Sequence, residues 1–206
     1  MDFGKEVKNK LNKSREWRVS TLNKKQRGEK IMLNKRVEEE LNKQINEEMY
    51  SSYLYQSMAA YFESKNLKGF ANWMNVQAKE EMTHAMKFYR FINERGGRVK
   101  LAGIAAPKTE WSGLIEIFND TLEHENHITG RINHLVTVAT EEKDYATVNE
   151  LQWFVAEQVE EEANANEILE QLKFINGEGH GIFMIDRELK TRVFVDRTLP
   201  QGNAAP

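Results

Sequence analysis

From about residue 33 onward, apolar side chains return every three or four positions, and four stretches each hold that rhythm for roughly thirty residues. The first, about Leu33–Ser64, puts Leu41, Ile45, Glu48, Ser52, Tyr55, Ala59 and Phe62 on one helix face. A short connection, Lys65 to Gly69, leads into a second helix reaching about Arg95, whose inner stripe reads Phe70, Met74, Gln77, Glu81, His84, Phe88 and Phe91. Gly96-Gly97 stops it. Arg98–Glu110, with Gly103 and Pro107, has no period and is the only long internal connection. A third helix is predicted from an N-cap at Ser112, with Glu116 in its first turns, to about Glu141 along Leu114, Phe118, Leu122, Glu125, Ile128, Ile132 and Leu135. Glu142-Lys143 turns into a fourth, from an N-cap at Asp144 to Ile175, along Leu151, Phe154, Gln158, Glu161, Ala165, Ile168, Leu172 and Ile175. Asn176-Gly177 ends it. A short apolar helix, about Gly181–Lys190, follows, and residues 191–206 read as a polar, flexible tail.

Two short-loop hairpins joined by one long link predict an all-α protein, a four-helix bundle with one long crossover plus a short C-terminal fifth helix. The heights along the bundle agree. Glu48 lies about 18 residues before the first turn and Glu81 about 14 after it; Glu125 lies about 18 before the third turn and Gln158 about 15 after it. At about 1.5 Å rise per residue the mismatch is roughly 5–6 Å, within reach of side chains. Each hairpin therefore delivers polar groups to one midplane. Gly130 inside the third helix costs about 1 kcal/mol against alanine.

Those polar groups interrupt otherwise apolar stripes: Glu48, the Glu81/His84 pair, Glu125, and the Gln158/Glu161 pair. Carboxylates are seldom buried without a partner, and four at one level would repel unless cations held them. Two divalent ions balance them charge for charge. If they were instead solvated, Ile45, Tyr55, Phe88, Ile128 and Phe154 would lie in water with them. Glu81 and His84, at i and i+3, can bind one ion side by side. Hard oxygens with one imidazole suit iron. The fourth helix carries no matching histidine, and neutral Gln158 weakens one of the two positions. Glu80, Glu157 and Glu160 read either as exposed charges or as a path for ions leaving the paired site. Tyr55 reads as a core tyrosine or a nearby one-electron donor, and Trp153 as packed or close to the site. His124, His127, His134 and His180 lack partners at matched height and read as surface or packing residues.

Composition removes other chemistries. No cysteine is present, which excludes disulfides, thiolate metal sites and cysteine nucleophiles and fits the cytoplasm. No apolar run approaches the roughly 20 residues of a membrane span, so no membrane partner is expected. Apolar residues are 40% of the chain and charged residues 30%, enough for a core under a charged surface. The net charge of −3 conceals an asymmetry. Residues 1–31 hold ten Lys/Arg and four acids, net +6, leaving 19 basic and 28 acidic residues, net −9, in the rest.

The runs Met49–Tyr55, Glu80–Ala85, Leu151–Glu162 and Phe183–Leu189 resemble the prokaryotic non-haem ferritins, over about residues 32–190. The resemblance implies a ferritin-like bundle and an intrahelical ferroxidase centre: Glu48, Glu81 and His84 for a first iron, Glu81, Glu125 and Gln158 for a second, with Glu161 near. It implies a third iron site at Glu80, Glu157, Glu160 and Glu161, and a role for Tyr55 beside the pair. It further implies iron storage and detoxification, Fe(II) oxidised by O₂ or hydrogen peroxide and kept as ferric mineral in a hollow homo-oligomeric shell of twenty-four subunits. Met82 stands where bacterioferritin has its haem-ligating methionine. Bacterioferritin, however, has histidine where Glu161 stands, so haem is not expected. A di-iron oxygenase would carry a second Glu-x-x-His, and DNA-protecting mini-ferritins place iron between subunits.

The basic residues 1–31 have no counterpart in that family. A purine-rich ribosome-binding sequence such as AGG-GGA-GAA-AAA would, if translated, give Arg-Gly-Glu-Lys, so Arg27–Lys30 suggest a true start at Met32; the alternative is a lysine-rich, disordered arm for an acidic partner such as DNA. A chain begun at Met32 is expected to assemble and oxidise iron as well as the full chain. Intact mass of protein from its own host checks this. A mass matching all 206 residues, with assembly or DNA binding lost on removing the arm, would give the arm a function.

Overall fold

The computed structural model describes residues 33–176 and 179–198. Five helices follow in order: α1 Lys35–Ser64, α2 Lys68–Glu94, α3 Leu114–Glu141, α4 Tyr145–Phe174 and the short α5 His180–Leu189. No strand occurs among the described residues. α1 pairs with α2 and α3 with α4 as hairpins, α1 packs on α3, and α5 docks on α2. Residues 95–113 make the crossover between the hairpins. This is the four-helix bundle, single crossover and fifth helix that the periodicity predicts.

Local chemistry sets the helix ends. The Asn34 side chain accepts from the Arg36 and Val37 amides and opens α1; Asp144 accepts from Thr147 and opens α4. The ends of α1, α2 and α3 share one device. Asn66, Gly96 and Lys143 adopt positive φ (59°, 73° and 55°), and the next amide reaches back to the carbonyl five residues earlier: Leu67 to Phe62, Gly97 to Ile92, Asp144 to Ala139. The Arg95 guanidinium then bonds Asp144 at 3.0 Å and locks the end of α2 to the start of α4.

The sequence expectations need correction in three places. Ser112 is not the cap of α3: Gly113 holds that position, and the Ser112 amide and hydroxyl both donate to the Glu116 carboxylate. Gly69 belongs to the first turn of α2 rather than to the loop. Its cap is tertiary, because Asp186 of α5 accepts from the Gly69 and Phe70 amides at 2.8 and 3.1 Å. Residues 191–198, expected to be flexible, instead lie along the bundle and are hydrogen-bonded to it. The Asn176-Gly177 stop is described only at Asn176, which also has positive φ (53°); residues 1–31 and 199–206 lie outside the described residues.

The buried apolar side chains fall into two clusters. One contains Tyr55, Met58, Phe62, Phe70, Met74 and Phe118, and α5 adds Ile185 to it. The other contains Leu41, Ile45, Phe88, Ile132, Leu151 and Phe154. Between them lies a layer of buried polar groups: Glu48, Gln77, Glu81, His84, Glu125, Gln158 and Glu161.

A β-carbon on Gly69 would lie 1.6 Å from the Asp186 carbonyl oxygen. Gly69→Ala must therefore push α5 away, at a cost of about 1–3 kcal/mol. Hydrogen exchange should rise across residues 180–189 while α1–α4 stay protected. Gly130 has open space around it, so Gly130→Ala should instead stabilise by about 0.5–1 kcal/mol. Equal Tm for the two variants would contradict this packing.

Candidate metal centre

Each long helix contributes to the polar layer because each carries one polar interruption at bundle mid-height. α1 supplies Glu48, α2 supplies Glu81 and His84 one turn apart, α3 supplies Glu125, and α4 supplies Gln158 and Glu161 one turn apart. All six are at most 5% exposed, so none is a solvated surface charge.

Among the described residues two trios of ligand-type groups converge, each with donor atoms within 4.8 Å of one another: Glu48, Glu81 and His84, and His84, Glu157 and Glu161. His84 joins both, and its Nδ1 is 3.2 Å from Glu81 Oε2. Trp153 and Phe154 meet the imidazole ring edge-on and fix its plane, and Phe154 in turn stacks on Phe88. Glu125 sits beside these trios. It accepts a hydrogen bond from the Tyr55 hydroxyl, and the Gln158 amide donates to its carboxylate and its backbone carbonyl, each at 3.2 Å. That amide also reaches Thr129 Oγ1 at 3.3 Å, which leaves Gln158 Oε1 as the atom to offer a cation. Glu80 and Glu160 enter neither trio: Arg192 takes the first and Arg197 the second.

Sequence reasoning missed several supporting groups. Gln44 donates to Glu48 Oε1 at 3.0 Å, and Gln77 donates to Glu161 Oε2 at 2.7 Å. Each lies one turn before a ligand candidate on its own helix (Gln44 before Glu48, Gln77 before Glu81), and that spacing was the available signal. Thr129, Arg192 and Arg197 had none. Among the histidines, His124 is a packing residue: its Nε2 lies 2.7 Å from Ser51 Oγ and its ring meets Tyr55 edge-on. His127 and His134 lie by Glu47 and Glu40 at the surface, and His180 is exposed.

The electrostatics of the layer fit a cation. Among the described residues no Lys or Arg pairs with Glu48, Glu81, Glu125 or Glu161; their partners are amides, a phenol and one imidazole. Burial, reinforced by the neighbouring Glu81, pushes Glu48 up to about 8. Burial and Glu161 push Glu125 up to about 8, and burial with Glu125 and Glu161 holds Glu81 well above the usual carboxylate range. Burial, then the charge of Glu125, also raises the Tyr55 phenol. Burial lifts Glu80 to about 7 against the pull of Arg192, and lowers His124 to about 4. Glu48 Oε2, Gln44 Oε1 and Gln77 Oε1 are buried without a hydrogen-bond partner. Unpartnered hard oxygens beside one imidazole are the donor set of a first-row divalent ion such as Fe(II).

Known proteins resemble this chain throughout its bundle. The family model for the ferritin-like domain matches residues 38–175. Bacterial non-heme ferritins of Staphylococcus aureus (strain MRSA252) and Staphylococcus saprophyticus are 40% and 41% identical over 163 residues, 79% of this chain and 98% of each relative. A solved open pore ferritin from the hyperthermophilic archaeon Archaeoglobus fulgidus is 51% identical, with a TM-score of 0.77 over 78% of this chain and 98% of that one. A form of the same ferritin engineered to be closed gives 0.78 over 79% and 99%.

Glu48 and Glu125 hold protons more tightly folded than unfolded, so their contribution to stability is complete below about pH 4.5 and is lost as pH rises toward about 8. The Tm of the metal-free protein should fall through that window and then level. A divalent ion displaces those protons, so its affinity should climb there by about tenfold per pH unit for each proton released. Glu48→Gln with Glu125→Gln should flatten both slopes. Slopes equal to those of the unaltered chain would mean that neither carboxyl is protonated near neutrality.

Proposed function

The chain belongs to the ferritin-like family, and from that premise we propose that it stores and detoxifies iron as a ferroxidase, taking up Fe(II), oxidising it at the buried paired site and keeping Fe(III) as mineral inside an oligomeric shell. The observation that carries this reading is the buried layer itself, four carboxylates and one imidazole with, among the described residues, no Lys or Arg paired with them.

Glu48, Glu81 and His84 would hold one ion, and Glu81, Glu125 and Gln158 the other, with Glu81 between them and Glu161 alongside. Each Fe(II) gives up one electron, and the pair together supplies two to O₂ or peroxide. The protein fixes distance and charge. Gln44 and Gln77 orient Glu48 and Glu161, and the Trp153/Phe154 pair keeps His84 facing the layer. Tyr55, bonded to Glu125, stands ready to pass an electron or a proton to the pair. Neutral Gln158 binds its ion less firmly than a carboxylate would, which suits a site that must release its product. Glu157 and Glu160, on the outward side of α4, with Glu80 across from them on α2, mark the way out and the third iron position.

Exposed apolar side chains support assembly into a shell, for which twenty-four copies are proposed. Phe174, Met184, Tyr145 and Phe183 are 91, 75, 71 and 64% exposed on one copy, and neighbouring subunits would cover them. Among the described residues no helix is long and apolar enough to cross a membrane. A cytoplasmic location, no haem and no nucleic-acid partner complete the reading.

Anaerobic loading with Fe(II) followed by air tests it. Storage requires many more irons than two per chain, whereas uptake stopping at two would indicate a small di-iron oxidase. Glu81→Ala should slow the initial oxidation at least tenfold, about the lower bound for disturbing a metal-ligand set. The metal-free Tm should stay level or rise, because a raised-pKa buried carboxyl is removed. An unchanged oxidation rate would sink the paired-site assignment.

A further inference from the structure

After α5 the chain does not leave the bundle. Asn72 on α2 donates one side-chain amide to the carbonyls of Leu189, Lys190 and Arg192 at 3.1, 3.4 and 2.9 Å. At the other end, the Asp196 carboxylate accepts from the Thr198 amide and hydroxyl, while Arg90 on α2 donates to Thr198 Oγ1 at 3.0 Å. Asn72 and Arg90 are roughly 27 Å apart along α2 at helical rise; the six steps from Arg192 to Thr198 span at most about 20 Å, and the Asn72 and Arg90 side chains reach the rest. The segment therefore runs along α2, pinned to it at both ends.

Its two arginines point at acids between the pins. Arg192 lies with its guanidinium 4.8 Å from the centre of the Trp73 ring and donates to Glu80 Oε2 at 2.6 Å. Its Nη1 is buried with no hydrogen-bond partner. Arg197 bonds Glu160 at 2.6 Å and lies 3.5 Å from Glu157. Beneath the segment, His84, Glu157 and Glu161 form the second trio of convergent donors. The space enclosed with Arg192, Val195 and Arg197 is only about 10 Å³, room for one water or one bare ion.

We propose that residues 190–198 are a counter-ion strap across the exit from the paired centre: Arg192 and Arg197 hold Glu80, Glu157 and Glu160 in place of a third cation, and that cation must displace them to pass. The proposal rests on the paired-centre reading given above. Arginine suits the role because its charge does not titrate and its fork holds carboxylates in defined geometry. The strap keeps the outer acids neutralised while the paired centre fills. The third position thereby becomes weak and conditional, although its donors are already assembled.

The test is anaerobic calorimetric titration of the assembled full chain with Zn(II), which binds without redox chemistry. The unaltered chain should show a tight phase of two ions per chain and a weaker third. Arg192→Gln with Arg197→Gln should tighten the third ion by at least about tenfold and leave the first two within about twofold, as expected on removing a charged competitor. Arg197 is half-exposed and pairs with Glu157 and Glu160, so Arg197→Gln alone should fold normally and give a smaller shift of the same sign. A third-ion affinity unchanged or weakened in both variants, with the two-ion phase intact, overturns the strap alone. Absence of the two-ion phase in the unaltered chain overturns the paired-centre reading and the strap with it.

Discussion

The burial of four carboxylates in one layer constrains everything else in this bundle. A carboxylate away from water must be protonated, paired with a base or bound to a cation, and among the described residues no lysine or arginine pairs with these four. The fold meets part of the cost with amides: Gln44, Gln77 and Gln158 each donate to one carboxylate, and Tyr55 donates to Glu125. The rest stays unmet in the metal-free chain, in proton affinities displaced upward and in oxygens without partners. A cation relieves both at once, so the strain in the layer and its affinity for metal have one origin.

The two apolar clusters are what make such a layer tolerable. Each is a packed half-core in its own right, one built around Phe62, Phe70 and Phe118, the other around Phe88 and Phe154. Stability is concentrated above and below the centre. The helix ends reinforce this, since Arg95 and Asp144 clamp one end of the bundle and Asp186 caps α2 at the other. Rigid ends hold the ligands at matched height without requiring the middle to contribute.

Most of this was legible in the sequence wherever the signal was periodic. The four stripes, the layer of polar interruptions and the Asp144 cap all follow from residues three or four apart on one helix, and the structure places them accordingly. What failed to show depends on contacts far apart along the chain. Gly69 looked like a loop residue because its cap, Asp186, comes 117 positions later. Ser112 looked like a cap because it precedes an apolar run, but Glu116 reaches back to bond it and Gly113 takes the cap position. Residues 191–198 carry no period at all, since an extended segment pinned by side chains at two distant points leaves no repeat to read. The site was legible as a layer of donors, whereas the arginines that close it were not.

The positions of the tryptophans give the molecule its own optical read-out. Trp153 meets the His84 ring edge-on, with centroids 5.4 Å apart, and Trp73 lies under the Arg192 guanidinium at 4.8 Å. Trp111 is packed in the same apolar cluster as Trp73, bonded to Asp120, and Trp17 lies outside the described residues. One indole therefore adjoins the paired centre and another the strap. With the other tryptophans replaced by phenylalanine, the emission of each would report one event, the first an open-shell ion arriving beside His84 and the second the cation above its ring moving away.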